Sequence, residues 1–145
     1  MADLIYPRSP REAMDGWVHL PRFLDKVRLH LAGRLHDDYQ ANFAHKGFDA
    51  KWLVAAGLKV EDFISVVKGT VTDGEVCDWV RVNVKRTAAE KAAFNQATLA
   101  HGTETGPDGA GLRERLQLRK EQAGLGHRTD LLTFVDYIDA DEKRL

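Results

Sequence analysis

Apolar residues recur along this chain at helical spacing. Leu20, Phe23, Leu24, Val27, Leu31 and Leu35 form one stripe, which predicts a helix from Pro21 to about Leu35. Leu29 falls on the other side, beside Arg22, Asp25 and Lys26, so a central helix covered on two faces is expected. The same period returns in Val60 to Lys68, in Val76, Trp79 and Val80, in Ala93, Phe94 and Ala97, and in Leu131, Phe134, Val135 and Ile138. No convincing alternating strand and no hairpin-type turn dipeptide stands out. The expectation is an all-α fold, a compact single-domain bundle of about seven short to medium helices with no significant sheet.

Punctuation divides the pattern. Ser9, Pro10 and Glu12 read as a capping box opening a short helix that Gly16 stops; Thr72 with Glu75 and Thr87 with Glu90 read as two more. Asp37 is placed to cap a short helix carrying Tyr39 and Phe43, which Gly47 ends. Asp49 is placed to cap the next, with Phe48 and Leu53 as its hydrophobic staple and Gly57 at its end. Gly69, Gly102 and Gly124 are further stops, and Thr129 is read as the last cap. Residues 103–111 read as a flexible loop, residues 112–123 as a charged helix, and residues 140–145 as a solvated tail. One domain over 1–145 is expected, with no internal repeat.

Composition narrows the classes. Hydrophobic residues make up 43% and charged residues 30%, an ordinary balance for a folded soluble protein. A net charge of -1 removes the usual electrostatic drive toward nucleic acid. A single cysteine, Cys77, excludes an intrachain disulfide. The first residues lack a signal-peptide pattern, and no apolar run approaches the roughly 20 residues of a membrane span. The expectation is a cytoplasmic protein with neither a membrane nor a nucleic-acid partner.

Tyr6 to Glu12, Gly16 to Arg22, Asp25 to Arg28, Gly47-Phe48-Asp49, Thr72 to Val76 and Trp79-Val80 resemble an uncharacterised bacterial family, domain of unknown function 5069. Asn83, Phe94-Asn95 and Phe134-Val135-Asp136 are similar too, so the resemblance spans nearly the whole chain. At Lys59-Val60 this chain lacks the Thr-Pro-like helix start the resemblance implies. The family implies a bacterial, soluble helical domain and brings no activity or cofactor.

The densest group of candidate chemistry is N-terminal. Arg8, Arg11, Trp17, His19 and Arg22 lie among turns, close to Tyr6, Asp25 and Lys26. Guanidinium forks suit carboxylates and phosphates, and Trp17 offers a flat apolar wall. A structural strap is the competing reading, since Ser9, Pro10 and Glu12 already serve as caps. The second group is His45 to Asp49, where His45 and Asp49 flank a glycine turn as an acid/base pair or anion site; capping by Asp49 competes. The six histidines show no metal-ligand spacing, and no metal is assigned. Cys77 reads as a small hydrophobe, and Asn83 as a buried amide tying two segments. Phosphate-loop, dinucleotide, nucleophile-elbow and EF-hand motifs are absent. Two functions stay open. One is a small-molecule site for an anionic ligand, binding or catalytic, formed by the N-terminal segment against the His45 to Asp49 turn. The other is a non-enzymatic interaction or regulatory module with a protein partner or a homodimer. No segment names a reaction.

Overall fold

The computed structural model describes residues 4–145. Among these, seven α-helices and one short hairpin account for the regular structure, so the chain is all-α apart from a two-stranded sheet. The hairpin pairs β1 (Ala13–Met14) with β2 (Trp17–Val18). It is followed by α1 (Leu20–Leu31), a 3-10 turn (Asp37–Asn42), α2 (Gly47–Ala56), α3 (Val60–Lys68) and α4 (Asp73–Asn83). Next come α5 (Ala88–Ala100), α6 (Pro107–Gln122) and α7 (Phe134–Asp141). Two compact units are formed, one ending at Phe94 and the other comprising Asn95–Leu145.

In the first unit the expected stripe of α1 is the centre of the core. Leu20, Phe23, Leu24 and Val27 are fully buried with Trp17, Trp52, Phe63, Val76 and Val80. The aromatic rings meet mostly edge-on or tilted, Trp17 against Trp52 at 6.0 Å and Phe23 against Phe63 at 4.9 Å. The opposite face of α1 is covered as well, but by charge pairing: Arg22 and Lys26 are buried. In the second unit α6 and α7 pack together, with Leu116, Leu131 and Val135 buried and His101 stacked on Phe134.

Several boundaries differ from the sequence pattern. The segment read as a helix from Ser9 to Gly16 is a turn leading into the hairpin. Ser9 Oγ accepts from the Arg11 N–H, and the Glu12 N–H returns to Ser9 O. Asp15 and Gly16 form the two-residue loop with φ of 50° and 79°, the conformation for which Asp-Gly is a strong local signal. Helix α1 ends at Leu31, not near Leu35, because Gly33 adopts φ 69° and the Arg34 N–H turns back to Leu29 O. Leu35 is still buried, whereas Leu31 is 41% exposed.

The loop read over 103–111 is shorter, since Pro107 starts α6 from a position where its missing N–H costs nothing. Thr133, and not Thr129, caps α7 through a capping box with Asp136. The tail read over 140–145 is partly structured: Ala140 and Glu142 are buried, and Arg144 bonds Asp139 and Glu142. Asn83 is exposed and donates to Trp79 O one turn back, so it joins no second segment. The boxes at Thr72 and Thr87 form as read. Val60 begins α3 with no side-chain cap from Lys59.

Candidate functional site

Two polar clusters flank α1. The first is buried. His19 follows β2 and precedes α1 with φ 71°, and its carbonyl accepts the Phe23 N–H. This left-handed turn carries the imidazole inward, beside Phe23 and Phe48. Its Nε2 lies 2.7 Å from Asp49 Oδ1. Asp49 Oδ2 accepts from Lys26 Nζ at 2.6 Å and from the Ala44 N–H at 3.0 Å. All three side chains are at most 6% exposed.

Burial disfavours the Asp49 charge, but bonds from His19 and Lys26 outweigh it and hold the carboxyl below its usual range. Burial also lowers the His19 pKa, against the pull of Asp49, with Lys26 and Arg22 adding to the lowering. An ionised Asp49 therefore accepts an N–H from Nε2. Nδ1 is left as a bare acceptor, buried and without a partner. The cluster is closed to solvent, so its geometry serves to pin the turn before α2 onto α1.

The second cluster lies at the surface. Arg8 grips Asp25 with Nε and Nη2 at 3.0 and 2.9 Å, and its backbone N–H bonds the same carboxylate. Its Nη1 donates to Asp73 Oδ2 at 2.8 Å. Asp73 is the first residue of α4 and also receives Arg28 Nη1 on Oδ1 at 2.6 Å. The bond to Asp25 chiefly raises the Arg8 pKa. Burial opposes the Asp73 charge, but Arg8 and Arg28 overcome it and lower the Asp73 pKa. Beside this network Ile5, Tyr6, Asp25, Arg28 and Leu29 line an open cleft of about 300 Å³. Arg28 Nη2 is buried with no acceptor, and among the described residues Nη1 alone of its guanidinium nitrogens is bonded.

The N-terminal candidates thus separate. Arg8 is committed to carboxylates. Arg22 is buried, donates to Arg8 O at 3.2 Å and lies over the Tyr39 ring. Trp17 is wholly buried, and Arg11 is exposed. Asp49 meets His19, while His45 is exposed and has no bond to Asp49. Lys46, not Asp49, occupies the N-cap of α2.

Arg28, Asp73 and Leu29 were not singled out by sequence as site residues. One usable signal existed: Arg28 is three residues after Asp25 on α1, which places both on one face. Among the described residues no group of His, Cys, Asp and Glu has the makings of a metal site, and no helix is long and apolar enough to cross a membrane. A family model described as "Domain of unknown function (DUF5069)" matches residues 5–144. No curated protein matches the chain.

Proposed function

Because this chain belongs to the family of domain of unknown function 5069, for which no activity serves as a guide, we propose from its site that it binds a small anionic molecule. The site is the cleft between the N-terminal segment and α1, and Arg28 is the anchor. The observation that carries this reading is the unspent hydrogen-bonding of Arg28 beside a cleft, because a charged donor left without an acceptor is costly. Asp73 fixes the guanidinium through Nη1, and Nη2 has no acceptor. Arg8 is not a ligand here; it neutralises Asp25 and braces Asp73. The reading includes a cytoplasmic setting, with which a single cysteine is consistent, and a bacterial source, which rests on the family resemblance alone.

A thermal-shift panel of carboxylates, phosphates, sugars and nucleotides tests this, with wild type and Arg28→Gln side by side. A ligand present at 100 times its Kd adds about 2.7 kcal/mol, a clear rise in Tm. The expected outcome is a rise with one or more anions in wild type that the variant loses. A panel with no anion response, or one unchanged in the variant, refutes the assignment.

A further inference from the structure

The buried cluster of His19, Lys26 and Asp49 shares no residue with the cleft, and its proton balance has a structural consequence of its own. The charged side chains acting on the His19 ring are Asp49 from α2 and Lys26 and Arg22 from α1. From the N-terminal side Pro10 and Glu12 meet His19 through carbonyls that accept its backbone N–H, and the Glu12 side chain is exposed. With the imidazole neutral, its N–H is spent on Asp49, and the same carboxylate holds the Lys26 ammonium. A second proton, on Nδ1, would stand in the interior with no acceptor. It would also add a cation beside Lys26 and Arg22, both buried. The closed arrangement therefore disfavours the protonated ring.

The packing around the ring is uneven. Of the two phenylalanines that meet the imidazole, Phe23 is fully buried and Phe48 is half-buried. Phe48 lies in the first turn of α2, after His45, Lys46 and Gly47, all exposed. Lys46 gives that helix no side-chain cap, and Ala44 and Gly47 hold φ of 61° and 62°. Such an angle is strained at Ala44, whose N–H is held by Asp49 Oδ2. The turn therefore hangs on the carboxylate that also bonds His19. We propose that His19 and Asp49 form a proton-released latch, in which protonation of His19 frees the turn of residues 44–48 from the start of α1 while the helical core stays closed.

Hydrogen–deuterium exchange of the full chain at pH 7 and pH 5.5, corrected for the intrinsic pH dependence of exchange, reads the opening. A histidine kept neutral when closed and free to titrate near its ordinary 6.5 when open shifts the opening equilibrium roughly tenfold over that interval. A loss of protection of that size is expected at Ala44 and Ala50, whose N–H groups bond Asp49 and Lys46. Both are expected to stay about tenfold or more less protected than Val80 in the core of α4, as a local opening requires. His19→Asn is expected to abolish the pH response. The triple variant His30→Asn/His36→Asn/His45→Asn leaves His19 as the one histidine in residues 1–94 and is expected to keep it. That variant decides the matter if His19→Asn folds poorly. Exchange of Ala44 and Ala50 in step with Val80 would show global unfolding and overturn the latch. A pH-independent protection, a response kept in His19→Asn, or one lost in the triple variant overturns it equally.

Discussion

Asp49 and Asp73 each receive two basic side chains, yet they stand in different media. Asp49 is 1% exposed and holds Lys26, itself 6% exposed, whereas the Asp73 side chain is 43% exposed. Removing Asp49 leaves an ammonium buried without its counter-charge. Asp49→Ala is therefore expected to cost about 3–5 kcal/mol. Asp73→Ala, where water and Asp25 remain available, is expected to cost about 1 kcal/mol or less. Urea unfolding of the two variants measures both, and equal losses would contradict this division between buried and surface pairing. His19 and Asp49 were both legible as candidates, but in separate groups 30 residues apart. Their pairing was not legible, because no local rule states that the φ 71° turn at His19 directs its ring toward α2. Lys26 lies on the side of α1 that the sequence pattern expects to be covered, and its partner Asp49 makes its burial tolerable.

Among the elements, the hairpin of β1 and β2 shows how a short signal is overridden in reading. Ser9, Pro10 and Glu12 imitate a helix start, but Asp15-Gly16 demands the two positive φ angles of a tight hairpin. The loop is then closed by Lys91, whose Nζ donates to Asp15 O at 2.7 Å. A Cβ on Gly16 would stand 3.2 Å from Lys91 Cδ as well as strain φ. Gly16→Ala is expected to destabilise by about 1 kcal/mol or more, read as a lower urea midpoint. A neutral result would show that the loop relaxes into another turn. At the start of α4, Thr72 Oγ1 accepts the Glu75 N–H while Glu75 accepts the Thr72 N–H. Thr72→Ala is expected to lose about 1 kcal/mol, and an unchanged midpoint would argue that water replaces the cap. The capping boxes at Thr72 and Thr87 were readable because all their partners lie within four residues; the hairpin needed the competing signal to be weighed.

For the molecule as a whole, stability depends on pH through the buried cluster. His19 is held below its ordinary 6.5, first by burial, so the folded chain keeps it neutral where the unfolded chain takes up a proton. Because the unfolded state then binds more protons, stability falls as pH drops below 6.5 toward the folded value. Asp49, held below its ordinary 3.8, contributes stability above that pH and loses it as pH falls through its folded value. Urea unfolding at about pH 8 and about pH 5, in wild type and His19→Asn, isolates the histidine. Wild type is expected to lose more stability on acidification than the variant, and equal losses would sink the assignment. The sequence by itself determined the helical class, most helix starts and the apolar stripe of α1, since periodicity and caps are written within a few residues. It also concentrated candidate chemistry in the N-terminal segment. Only the tertiary structure decided that Arg8 is spent on Asp25 and Asp73, that His19 closes on Asp49 away from water, and that Arg28 lines a cleft with Nη2 left without an acceptor. Those outcomes depend on partners 17 to 65 residues apart, brought together by the packing of the core and not by any local preference.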